Sequence, residues 1–304
     1  MLCSCGRPHI TLLAEKQDAD KLAVEDLSAQ AREQSGPMKE LTQAKILELK
    51  AEIAAEQQMS KALSRATREL VANLDAALEL TSPEQLLALG RDQLLEFIIR
   101  GGLGLAVDDF IEAQNKVIQA SLDSLRVIEP GATTADIPDL DALRMVAAEN
   151  VFNDVILPDS LRAVRTALQG MSVGVAQNQA MTSLSQQLTQ SEGRQLTQVR
   201  TQLASTGRAA TASAAQQYEL DLYLYTGPRD GITRDFCRPL INKVVDEKQM
   251  NRLNNGQGLP VATYGGGYNC RHSWSPITES FQQAAGLRRA KSKDISKANA
   301  GGSR

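Results

Sequence analysis

Large aromatic side chains are scarce: Phe, Trp and Tyr together make up 4% of the 304 residues. Leu, Ala, Ile, Val and Met must therefore fill most of the core, which suits packed helices better than a large sheet. No apolar run reaches the roughly 18 residues that a membrane-spanning helix needs, so no membrane span is expected. The first residues, MLCSCGRPHI, lack a charged region followed by a long apolar one and do not read as a secretory signal. Four cysteines are too few to frame a disulfide scaffold, and synthesis in a reducing cytoplasm is expected. Motifs of catalysis are missing too. Gly101, Gly102 and Gly104 follow a helical pattern and lack the Lys-Ser or Lys-Thr of a nucleotide loop, so they read as a helix–helix turn. No paired-carboxylate site and no nucleophile elbow stands out, and an enzyme is not expected.

What is present before Leu220 is mostly helix. Residues 11–34 read as a polar helix that Ser35-Gly36-Pro37 ends. From Met38 to Leu80 there is no Gly or Pro, and Ile46, Leu49, Ile53, then Met59, Leu63, Ala66, Leu70 and Leu74 recur at helical spacing. Glu56 interrupts that stripe. Ser82-Pro83-Glu84-Gln85 has the residues of a capped helix start, predicting a helix to about Arg100. Further helices are expected over 105–127, 139–156 and 158–170. Val173 to Glu219 is rich in Gln, Ser, Thr and Ala, with only a thin stripe of Leu184, Leu188, Leu196, Val199 and Leu203. Such a stripe predicts one narrow packing seam, with disorder as the alternative.

At Leu220 the character changes. LDLYLY alternates like a strand. All five tyrosines lie between Tyr218 and Tyr268, and the sole tryptophan is Trp274. Cys237, Cys270 and His272 share this stretch, which predicts a small core of its own. The charge also changes sign, from about −8 over residues 1–217 to about +5 over 218–304. The last residues hold Arg288, Arg289, Lys291, Lys293, Lys297 and Arg304 against Asp294 alone. The expected fold is therefore mainly α: an extended helical body at 1–217, a small α+β module at 218–280, and a flexible basic tail at 281–304.

Two clusters of soft ligands stand out. Cys3, Cys5 and His9 lie at short spacing near the N-terminus, where loose thiols are the plainer reading. Cys237, Cys270 and His272 allow three readings: three ligands of a structural zinc with Asp230, Asp235 or an N-terminal thiol as the fourth, a Cys237–Cys270 disulfide formed outside the reducing cytoplasm, or plain buried thiols. The same residues with Asp230 also hold the parts of a metal-dependent nuclease or toxin-like hydrolase.

Four phrases in this stretch carry a resemblance. Tyr225-Thr226-Gly227-Pro228-Arg229-Asp230-Gly231, Thr233-Arg234-Asp235-Phe236-Cys237, Asn255-Gly256-Gln257-Gly258-Leu259-Pro260 and Gly267-Tyr268-Asn269-Cys270-Arg271-His272 stand in the order found in the C-terminal domain of phage Mu F-like minor head proteins, also called phage head morphogenesis proteins. The chain resembles that family over about residues 220–278. The resemblance implies a minor structural protein of the head of a tailed double-stranded DNA phage, made in the bacterial cytoplasm and carried in the virion. It implies association with the portal protein and other head proteins, and contact of the basic tail with packaged DNA. The family's Cys and His positions map onto Cys237, Cys270 and His272.

Overall fold

The computed structural model describes residues 9–302, with side chains from residue 16 on. A long first helix, α1 (His9–Glu33), turns at Ser35 into α2 (Gly36–Leu78), whose Pro37 sits in the first turn where no backbone donor is lost. The apolar positions of α2 fall on two faces. Ile46, Leu49 and Ile53 meet Ala23, Val24 and Leu27 of α1. Met59, Leu63, Ala66, Leu70 and Leu74 enter the main core of the helical body. Glu56 does not disrupt this helix. It is buried and pairs with Arg200 and Lys16, so an apparent gap in the stripe is an ionic contact between three helices.

Ser82 caps α3 (Pro83–Leu87) in a full capping box with Gln85, as its residues predict. The helix does not run on to Arg100. Gly90 breaks it, and its free amide is closed by Gln93 as α4 (Arg91–Ile98) begins. The glycines that follow form a π-helical turn, Ile99–Leu103, that leads directly into α5 (Gly104–Arg126). Gly102 has φ 137°, and a Cβ there would lie 2.9 Å from Glu69 Cβ, so only glycine lets this turn press against α2. A 3-10 turn at Thr134–Asp136 follows α5. Then α6 (Leu140–Val151) passes through a second π turn, Phe152–Ile156, into α7 (Leu157–Ser172).

The least apolar helix, α8 (Gln177–Gln217), takes the most central place. Its first half packs as a thin stripe. From Gln195 onward it is buried on nearly every side, including Arg200, Thr201, Gln202, Ser205, Thr206, Arg208 and Thr211. The expected single narrow seam is therefore wrong for this half. Small residues let α5, α2 and the C-terminal module approach closely; Thr hydroxyls return bonds to the carbonyl four residues back and Ser205 to the carbonyl three back, which satisfies them inside the helix.

The module is a four-stranded sheet in the order β3-β1-β2-β4. The strands are β1 (Leu222–Thr226), β2 (Lys243–Asp246), β3 (Ser273–Ile277) and β4 (Arg288–Arg289). β1 pairs antiparallel with both β2 and β3, and Tyr225 faces Trp274 across the β1–β3 ladder. Between β1 and β2 the chain makes a series of turns. Short helices α9 (Glu247–Met250), α10 (Val261–Tyr264) and α11 (Glu279–Ala284) complete the module.

Residues 287–302 differ from expectation. They are not a free tail. β4 adds to the sheet in parallel to β2, and α12 (Ser292–Gly302) buries Ile295 and Ala298 in the core that holds Cys237 and Trp274. Gly301 packs so closely that a Cβ would meet the Asp235 backbone at 2.5 Å. The basic residues misled because charge dominates the composition, while the two apolar positions sit one helical turn apart on a single face.

Candidate metal centre

Cys237, Cys270 and His272 come together in the module's core. The Cys237 Sγ lies 3.9 Å from the Cys270 Sγ, which is 3.9 Å from His272 Nδ1, and the three ligand atoms lie within 4.8 Å of one another. All three residues are buried. Thiolates bound to a tetrahedral zinc at about 2.3 Å stand about 3.8 Å apart, so this spacing fits a shared ion. The sulfurs stand as free thiols, and their separation is far from the roughly 2.05 Å of a disulfide.

Three loops deliver these ligands. The turn after β1 places Cys237 by closing on the carbonyl of Arg234. Gly265-Gly266-Gly267 bends the chain back so that the Gly266 amide donates to the Cys270 Sγ at 3.1 Å. A Cβ on Gly266 would lie 2.6 Å from the Cys237 Sγ, so the backbone occupies the space a side chain would need. His272 immediately precedes β3, and its Nε2 is 2.9 Å from the Pro228 carbonyl. A carbonyl only accepts, so Nε2 carries the proton and Nδ1 turns its lone pair toward Cys270. Such a backbone partner on the far ring nitrogen is the usual way a ligating histidine is held.

The electrostatics separate the two thiols. Hydrogen bonding from Cys237, together with the charge of the nearby Arg208 guanidinium, outweighs burial and holds Cys270 well below the ordinary thiol range. The same contact with Cys270, then burial, pushes Cys237 well above it. Burial and the two sulfurs push Tyr225 well up as well, with its hydroxyl 3.3 Å from Cys237 and 3.6 Å from Cys270. Among the described residues, these contacts define one soft, enclosed cluster that can hold a metal ion.

Asp230 is not part of it. Its carboxylate grips Arg271 through two bonds, one of 2.9 Å, and also accepts from Thr233 and the Ile232 amide. Burial alone would raise this carboxyl, but the bond and charge of Arg271 outweigh it and leave it lowered. Arg271 in turn reaches the Ala19 carbonyl, so the expected ligand instead ties the module to α1. Asp235 is largely exposed and pairs with Arg238. Cys3 and Cys5, and the His9 side chain, lie outside the described residues.

Two residues escaped the sequence reading. Tyr225 was visible as part of a phrase but not as a neighbour of the thiols, because its strand position gives no hint of which face it serves. Arg208 comes from α8 and donates to the carbonyls of Thr263 and Cys270, at 3.1 and 2.6 Å, which holds the glycine loop against the helical body. Nothing in a Gln- and Ser-rich helix marks that arginine. Compared with protein-family models, curated proteins and solved structures, the chain matches none.

Proposed function

We propose that the chain is a minor head protein of a tailed double-stranded DNA phage, carried in the virion at the portal and capsid interior, where it acts in head assembly and in DNA packaging or ejection. The observation that carries this reading is that the four phrases of the Mu F-like resemblance interlock around one centre. Tyr225, Cys237, Cys270 and His272 meet in it. Arg234 of the second phrase holds the Gly266 and Tyr268 carbonyls beside it. Asn255 of the third donates to the Gly265 and Leu259 carbonyls, and Gln257 accepts from the Tyr268 amide. Phrases that are separate in sequence are thus one packing unit, which supports their being kept together for a shared fold.

In this reading the centre holds a structural zinc that fixes the module, and no reaction is carried out. The acidic helical body docks on the portal protein and other head proteins. The exposed Arg288, Lys291, Lys293 and Lys297 of β4, α12 and the link between them face packaged DNA. A nuclease would need a ligand position open to water and substrate. The enclosure of all three ligand atoms favours a structural role instead. The test is cross-linking mass spectrometry on purified particles. Stoichiometric presence with cross-links to the portal supports the proposal, and absence of the protein both from particles and from assembly intermediates overturns it.

A further inference from the structure

The proposed zinc has three ligands from Cys and His, and a closed tetrahedral site needs a fourth. Asp230 is committed to Arg271 and Asp235 to Arg238. The side-chain oxygen that does face the cluster is a phenol. Tyr225 is fully buried at the middle of the sheet, stacked on His272 with ring centroids 5.4 Å apart and packed on Trp274 at 4.3 Å. Among the described residues its hydroxyl pairs with the two sulfurs alone, at 3.3 and 3.6 Å.

Those distances have a geometric meaning. In a tetrahedral site with metal–sulfur bonds of about 2.3 Å and metal–oxygen bonds of about 2.0 to 2.2 Å, an oxygen ligand stands about 3.5 Å from each sulfur. The corresponding sulfur–sulfur edge is about 3.8 Å and the sulfur–nitrogen edge about 3.6 Å. Four of the six edges of the cluster measure 3.3, 3.6, 3.9 and 3.9 Å. Resting on the zinc reading above, we infer that the Tyr225 hydroxyl is the fourth ligand, completing an S2NO site for a soft divalent cation.

Charge and softness select the ion. Two thiolates neutralise a divalent cation, so the loaded centre adds little net charge to an apolar core. Thiolate and imidazole ligands favour zinc or cobalt over magnesium or calcium, which take all-oxygen sites of higher coordination number. The fourth position is filled from within the fold, so no water ligand remains to be activated. Backbone groups supply the outer support: the Gly266 amide on Cys270 and the Pro228 carbonyl on His272.

The experiment is a zinc and cobalt titration of the full chain and of its Tyr225→Phe variant, with X-ray absorption on the zinc-loaded wild type. The inference expects a cobalt spectrum of tetrahedral thiolate type in the wild type. In Tyr225→Phe it expects an altered spectrum and at least about tenfold weaker binding, since even outer supports of a metal site cost that much. Should the variant fail to fold, the wild-type coordination shell decides. Two sulfurs with two nitrogen or oxygen ligands supports the inference. Two sulfurs with one nitrogen, three sulfurs, or a variant with unchanged affinity and spectrum overturns it while leaving the zinc reading intact. A wild type that takes up neither zinc nor cobalt overturns both.

Discussion

The seam between the helical body and the module contains a carboxyl that neutral pH destabilises. Glu52 is buried on α2 beside a cavity of about 10 Å³, room for at most one water. Burial pushes its carboxyl from the usual 4.5 up to about 7, a rise that Glu48 assists and that Arg208, Arg200 and Lys45 only partly oppose. Arg271 also lines the cavity from the module side. The sign follows from proton linkage. Between pH 4.5 and 7 the folded state holds a proton that the unfolded state has released, so stability falls as pH rises, by about 1.4 kcal/mol per pH unit. The loss is complete above pH 7 and amounts to roughly 3 kcal/mol, before other groups are counted. Glu52→Gln keeps the shape and removes the titration. Its stability should match the wild type near pH 4.5 and exceed it by up to about 3 kcal/mol at pH 8. Urea denaturation of both proteins at several pH values measures this. Parallel stability curves for the two proteins across that range would refute the reasoning.

Other perturbations have equally definite outcomes. Ile295→Ala should lower stability by about 2–4 kcal/mol, because the side chain is buried under the sheet; a loss near zero in thermal melts would mean that α12 does not dock. Gly207→Ala should destabilise by about 1–3 kcal/mol despite alanine's better helix propensity, since its Cβ would meet Ser121 Oγ at 2.4 Å where α5 crosses α8, and a neutral or stabilising result in denaturant melts would contradict that crossing. Cys270→Ala should abolish zinc binding and remove the drop in melting temperature that a chelator causes in the wild type; equal chelator sensitivity in both proteins would count against the centre. Reversing Arg288 and Lys293 to Glu should weaken DNA binding and flatten its salt dependence by about 0.9 in log–log slope per lost phosphate contact, and an unchanged slope would remove these side chains from any DNA interface.

The helices were legible where burial is one-sided. The spacing of Met59 to Leu74, the Ser82 cap and the strand pattern of LDLYLY each report a local preference that the fold keeps. What could not be read depends on partners far away in the chain. Arg200 meets Asp20 across 180 positions, and Glu48 accepts from Ser121 and Ser124 across more than 70, so residues that look like a solvated surface line the interior. The candidate site shows the same division. Cys237, Cys270 and His272 were visible as residue types, but the choice between Asp230 and Tyr225 rests on which neighbour each side chain finds. Asp230 finds Arg271, and with it α1. Tyr225 finds two sulfurs.

The centre and the titrating seam meet in one residue. Arg208 holds the Cys270 carbonyl with one end of its guanidinium and opposes the rise of Glu52 with its charge, while its Nε has no hydrogen-bond partner. Replacing it with Met would release the glycine loop and remove the main favourable charge near Glu52 together. Arg208→Met should therefore weaken zinc binding, and should also steepen the loss of stability between pH 6 and 8 as the Glu52 carboxyl moves further up. A variant that binds zinc less well yet keeps the wild-type pH dependence would show that Glu52 is held by Arg200 and Lys45 instead. Both effects arising from one substitution would mean that the module's core and its attachment to the helical body are stabilised by the same cation.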